Sequence, residues 1–285
     1  LDRLLIDTCV WIDIAVDVRL APLLDVLDRL CLHGAIQLVA PDVVIEELDR
    51  NAEGVQQKTR KSYEALVRDA LNIGHVLATE NDREDLRRSL GKISNALPTF
   101  QGALNSRLRR VRAMLTRVGV LAPTSTDNMM LSAFRRGLAK KAPFTRGRNS
   151  CGDSLILEHF DSCARALGGG ERCVLVTSNK QDFSSPDDHR LPHPDIADLF
   201  DGAQRIFSIN LAEHISGIDT AAISPALVEA AREAAERSSL SCPAGGEHDF
   251  DPTRGANLRS RHGGLSWHLF CRKCGTKFDT GDSSD

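Results

Sequence analysis

Short apolar runs alternate along this chain with stretches of helical spacing, and that alternation restricts the fold more than any other feature. Leu4–Asp7, Ala35–Ala40, Arg172–Thr177 and Gln204–Ile209 read as buried strands. Between the first two, Ala21–Leu32 carries Leu23, Leu24, Leu27, Leu30 and Cys31 at helical spacing and stops at Gly34. Pro41-Asp42 opens a further helix, with Asp42 near its N-terminus, where a carboxylate is favoured. Strands alternating with helices predict an α/β domain on a mainly parallel sheet. In such sheets the reactive groups gather at the carboxyl ends of the strands.

Four acids stand close to the ends of apolar runs. Asp7 ends Leu4-Leu5-Ile6, and Glu47 follows Val43-Val44-Ile45. Asp153 opens Ser154-Leu155-Ile156-Leu157, and Asp182 comes just after Cys173-Val174-Leu175-Val176-Thr177. A carboxylate in apolar surroundings is solvated, paired or bound to a metal. Asp7 and Asp153 also suit helix caps when each is taken singly. Four such carboxylates that converge make an oxygen-rich site for Mg²⁺ or Mn²⁺ rather than zinc.

The net charge of -3 over 285 residues gives no global sign of nucleic acid, so the distribution of charge decides that question. The stretch from about 51 to 148 breaks the strand–helix alternation and reads as a helical insertion. Between Arg107 and Arg148 it holds Arg107, Arg109, Arg110, Arg112, Arg117, Arg135, Arg136, Lys140, Lys141, Arg146 and Arg148, against Asp127 as the sole acid. Opposite charges for local helix pairing are almost absent, so the segment is expected to meet an anion. A nucleic-acid backbone is the expected anion, and a solvated helix face the plainer reading.

No apolar run approaches the ~18 residues of a membrane span, and the start of the chain lacks a signal-peptide pattern. Of eight cysteines, Cys9, Cys31, Cys151, Cys163 and Cys173 sit singly in apolar surroundings. They read as reduced core residues of a cytoplasmic protein. His75, His159, His189, His193 and His214 are scattered and read as surface or satisfied core histidines.

The motifs around the four acids are Leu5-Ile6-Asp7-Thr8-Cys9-Val10-Trp11, Ile45-Glu46-Glu47-Leu48, Gly152-Asp153-Ser154 and Thr177-Ser178-Asn179-Lys180-Gln181-Asp182. In that order and spacing they resemble the PIN-domain ribonucleases, many of them toxins of toxin–antitoxin pairs. The likeness covers about Leu1 to Gly217 and points to a bacterial PIN-like branch with a long helical insert. It implies a PIN-like parallel sheet flanked by helices, with Asp7, Glu47 and Asp153 as ligands of Mg²⁺ or Mn²⁺. Glu46 competes with Glu47, and the Glu-Leu pairing favours Glu47. Many PIN domains carry an acid where this chain has Asn179, which ligates without charge. Asp182 takes over that role directly or through a water. Thr8 and Ser178 are expected to orient carboxylates or waters.

The resemblance implies a metal-dependent endoribonuclease acting on RNA and leaving a 5′-phosphate and a 3′-hydroxyl. An antitoxin-like or defence-system protein partner follows from the same likeness. The rivals are a structure-specific DNA nuclease and a non-catalytic scaffold whose site decayed at Asn179. A haloacid-dehalogenase-type phosphatase is disfavoured, because the second Asp it needs is replaced by Cys9.

The expected domains are 1–217 for the nuclease, 218–240 for a helix and linker, and 241–285 for a small zinc module. Cys271-Arg272-Lys273-Cys274-Gly275 has the spacing of a zinc-knuckle turn. Cys242 and His248 complete a closed structural Zn²⁺ site, with His262 and His268 as substitutes for His248. The module resembles zinc ribbons, and a disulfide is the alternative pairing.

Overall fold

The computed structural model describes residues 1–76, 79–144, 150–219, 221–239, 250–259, 265–271 and 277–284, with side chains through residue 234. Two compact units divide the chain, Leu1–Ala235 and Glu236–Asp285.

The first unit is built on four parallel strands: β1 (Asp2–Ile6), β2 (Ile36–Val39), β3 (Arg172–Val176) and β4 (Arg205–Ser208). Their order is β2-β1-β3-β4. The α/β fold predicted from the alternation of runs is therefore the fold observed. Leu4, Leu5 and Ile6 of β1 and Val174, Leu175 and Val176 of β3 are almost fully buried. Helices cover such inner parallel strands on both faces, which is why they read as continuous apolar runs.

α1 (Thr8–Val16) starts where β1 stops, and α2 (Pro22–Leu32) returns the chain toward β2. Gly34 ends α2 in the left-handed region at φ 66°. Its N–H donates to the Cys31 carbonyl and that of Ala35 to the Leu30 carbonyl, which satisfies the last turn. The free edge of β2 is covered by Leu121, whose N–H donates to Leu38 O at 3.0 Å.

α3 (Asp42–Ile73) and α4 (Glu80–Leu115) form a long antiparallel pair. Asp49 meets Arg112, Tyr63 meets Phe100, and Gly74 meets Leu86. The predicted helical insertion has no break at residue 51, because α3 runs straight through it. The apolar spacing of Leu104, Leu108, Val111 and Leu115 returns the end of α4 to the core. α5 (Asp127–Leu138) and α6 (Cys151–Arg165) then lead to β3. After β3 come the short α7 (Lys180–Phe183), then α8 (Leu211–Ile218) and α9 (Pro225–Ser239). Leu227, Ala230, Ala231 and Ala234 of α9 are buried in the core of this unit.

The second unit holds β5 (Phe250–Arg259), β6 (Leu265–Cys271) and β7 (Lys277–Ser284) as an antiparallel sheet in the order β5-β6-β7. Phe250 is the first residue of β5.

Candidate active site

The carboxyl ends of β1 and β3 lie side by side, and the site begins there. The Asp7 N–H donates to Val176 O at 2.9 Å, which continues the ladder one residue past β1. This fixes the Asp7 side chain at the mouth of the sheet, 3 % exposed. Thr177 Oγ1 donates to Asp7 Oδ2 at 2.6 Å, and Cys9 Sγ donates to the same oxygen at 3.0 Å. Both donors thus hold one oxygen of the carboxylate. Burial pushes the Asp7 carboxyl up, against the lowering effect of those hydrogen bonds.

Glu47 comes from the second turn of α3. Its Oε2 accepts from Thr8 Oγ1 at 3.0 Å, so adjacent residues of the β1–α1 corner hold two different acids. Burial raises the Glu47 carboxyl, and the nearby Asp7 charge raises it further. The first turn of α6 faces the same group: a Cβ placed on Gly152 would lie 3.9 Å from Glu47 Oε2. Asp153 is the next residue, within that first turn, where the helix dipole favours a negative charge.

On the β3 side the Asn179 N–H donates to Thr177 Oγ1 at 3.0 Å, and its Nδ2 donates to Asp182 Oδ2 at 3.0 Å. Asp182 is 5 % exposed, and its other oxygen, Oδ1, is buried with no hydrogen-bond partner. A buried carboxylate oxygen without a donor is unfavourable unless a cation or water meets it. Ser178 Oγ donates to Asp13 Oδ2 at 2.8 Å.

Asp7 and Glu47 are thus brought together, with the start of α6 beside them and Asp182 linked through Asn179. Among the described residues no three Asp, Glu, His or Cys groups sit close enough to hold a metal ion. The donor chemistry still suits a hard dication. Asp7 and Glu47 oppose each other's ionisation, and Asp182 Oδ1 lacks a partner.

Cys9, Thr177 and Asp13 belong to this site and were not singled out as functional in the sequence. Thr177 follows directly on a buried strand, and Asp13 interrupts the apolar run Val10-Trp11-Ile12, which were the available signals. Cys9 carried no signal that separates it from a core thiol. Trp11 is buried core, its Nε1 donating to Ile6 O at 3.1 Å. His159 departs from the satisfied core histidine expected. Its Nε2 lies 3.0 Å from Ser125 Oγ, but its Nδ1 is buried with no hydrogen-bond partner.

Several cations of the basic segment meet anions on other elements of the chain, partners that helix-local spacing does not supply. Arg110 bridges Asp25 at 2.6 Å and Asp28 at 2.9 Å, Arg112 pairs with Asp49 at 2.6 Å, and Arg117 pairs with Asp28. Arg107 Nε donates to Ala15 O at 2.6 Å, and Arg136 reaches the Ala142 and Asp195 carbonyls. Arg109, Arg135, Lys140 and Lys141 are exposed and make no ion pair among the described residues. Arg146 and Arg148 lie outside the described residues, as do Cys242, His248, His262 and Cys274. Cys271 is the last residue of β6, and its side chain is likewise outside them.

The fold and the acidic centre define a parallel α/β domain with carboxylates at its strand ends. A family model described as PIN domain matches residues 4–183, and the chain belongs to that family. Membership implies nuclease chemistry on nucleic acid, which in this family is generally metal-dependent. No curated protein and no solved structure gives a significant match.

Proposed function

We propose that the chain is a cytoplasmic endoribonuclease that uses Mg²⁺ or Mn²⁺ at Asp7 and Glu47, with Asp153 and Asp182 completing the ligand set. The observation that carries this reading is the Asp7–Glu47 pair, each acid braced by a hydroxyl and each raised by burial. A bound dication supplies an activated water and neutralises charge on the leaving oxygen. Thr177 and Cys9 fix one oxygen of Asp7, Thr8 fixes one of Glu47, and Asn179 fixes one of Asp182. Within the described part of the basic segment, Arg109, Arg135, Lys140 and Lys141 are exposed cations available to phosphates. Cys242, His248, Cys271 and Cys274 would hold a structural zinc, supported by the C-x₂-C spacing and a three-stranded sheet too small to hold a core of its own. An antitoxin-like partner and a defence role rest on analogy with PIN-domain toxins.

The test is incubation of the full chain with labelled single-stranded RNA, transfer RNA and DNA plus Mn²⁺, followed by end mapping. RNA cut to 5′-phosphate and 3′-hydroxyl ends is the expected result. DNA cut while RNA stays whole would transfer the reading to a DNA nuclease. Binding without cleavage would favour a nucleic-acid-binding scaffold. That second reading has its own support: Asn179 replaces an acid and ties up Asp182, and no three ligands converge among the described residues.

A further inference from the structure

α6 and β3 pack against each other at two cysteines that the nuclease reading does not use. Cys163, in the last turn of α6, is partly exposed, and Cys173, the second residue of β3, is fully buried. Both are free thiols, on elements that pack against each other, α6 and β3. Cys173 Sγ also lies 4.0 Å from Phe160 O, one turn before Cys163 on the same helix. Arg3, from β1, lies opposite Cys173 in the β1–β3 ladder. Arg3 uses one terminal nitrogen on Glu171 at 2.7 Å and the other on Ala166 O at 3.4 Å. Its Nε is buried with no hydrogen-bond partner. A buried donor without an acceptor favours an anion beside it.

We propose that Cys163 and Cys173 are an oxidation site, at which a hydroperoxide oxidises Cys163 and Cys173 resolves the product as a disulfide joining α6 to β3. In the first step the Cys163 thiolate attacks the terminal peroxide oxygen, the O–O bond breaks, and hydroxide leaves from hydrogen peroxide or alkoxide from an organic hydroperoxide. Cys163 is then a sulfenic acid, and the peroxide is reduced. In the second step the Cys173 sulfur attacks Cys163, the S–S bond forms and the S–O bond breaks. The Cys173 proton leaves with the oxygen as water. The local chemistry supports this division of labour. The Cys173 thiol and the Arg3 cation lower the Cys163 thiol to about 7, which leaves much of it as thiolate at neutral pH. Cys163 and burial push Cys173 up, so it stays protonated until the resolving step. Exposure of Cys163 admits the peroxide, and burial of Cys173 leaves Cys163 as its route to oxidation.

The experiment treats the reduced full chain with a slight excess of hydrogen peroxide and maps its peptides without reduction. Cys151, exposed at the start of α6, serves as the internal reference thiol. The expected product is one peptide pair linked through Cys163 and Cys173, lighter by two hydrogens and separated by dithiothreitol. Cys173→Ser is expected to stop at a sulfenic acid on Cys163, captured by dimedone. Cys163→Ser is expected to slow oxidation of Cys173 at least about tenfold. The proposal is overturned if Cys163 reacts no faster than Cys151. It is equally overturned if Cys163 proceeds to sulfinic acid in the unaltered chain while Cys173 remains reduced. Neither readout depends on nuclease activity.

Discussion

Thr177 and Asp7, 170 residues apart in sequence, share a 2.6 Å hydrogen bond across the seam between β1 and β3. Thr177→Val keeps the shape and removes the donor. Hydrogen bonds to charged groups contribute about 1.5–3 kcal/mol. The variant should lower kcat at least about tenfold with KM little changed, because the acid and not substrate binding is disturbed. Loss of the donor also raises the Asp7 carboxyl further, so the acid limb of the pH–rate profile should move to higher pH. A profile that stays in place would remove Thr177 from the site.

Asp7→Asn should abolish cleavage without loss of stability in metal-free protein. The Asp7 and Glu47 carboxyls are both raised above their ordinary values of 3.8 and 4.5. A raised carboxyl favours the folded state below its ordinary pKa, and that contribution is lost as pH rises through the folded-state value. The Tm of the unaltered chain should therefore fall relative to Asp7→Asn as pH climbs upward from the ordinary carboxylate range. Mn²⁺ should restore the unaltered chain and not the variant. Parallel Tm curves across that range would show that Asp7 carries no such strain.

Cys9 separates two kinds of support for Asp7. Cys9→Ser keeps a donor to Oδ2 and should stay within about threefold of full activity, whereas Cys9→Ala leaves Thr177 as the single side-chain donor and should fall further. Equal rates in the two variants, measured at saturating substrate, would make Cys9 a packing residue alone.

The cations divide by their partners. Reversing Arg109, Arg135, Lys140 and Lys141 to Glu should weaken nucleic-acid binding and flatten the log–log salt dependence by about 0.7–0.9 per lost phosphate contact. Arg110→Ala should leave that slope unchanged, since its guanidinium serves Asp25 and Asp28. Its effect on stability should stay within about 1 kcal/mol, as exposed pairs are screened by water and salt. A slope change for Arg110→Ala alone would reverse the division.

Elemental analysis of the full chain under reducing conditions should find about one zinc per chain, as one four-ligand set completes one tetrahedron. Cys271→Ser should release it and melt the Glu236–Asp285 unit while Leu1–Ala235 stays folded. Zinc retained in the variant would point to another ligand set.

The parallel sheet was legible because each buried strand is a short apolar run, such as Leu4-Leu5-Ile6, flanked by helical spacing. Asp7 and Glu47 were legible because a carboxylate at the end of such a run contradicts its surroundings. Thr177 and Cys9 were not, since their role depends on a neighbour supplied by another strand or on a rotamer. The ion pairs of the arginines were not legible for the same reason. Local spacing shows that Arg110 lacks an acid within one turn, but Asp25 and Asp28 approach it only when α2 packs on α4.

The strand order sets a kinetic condition on the active site. β1 is central and is made early, yet its partner β3 begins at Arg172. Closing so long a loop carries an entropic cost that only the completed sheet repays. Until then one edge of β1 stands open, and Asp7 lacks Thr177. The Asp7–Thr177 bond therefore cannot form before β3 pairs with β1, so a chain without that pairing lacks the braced carboxylate.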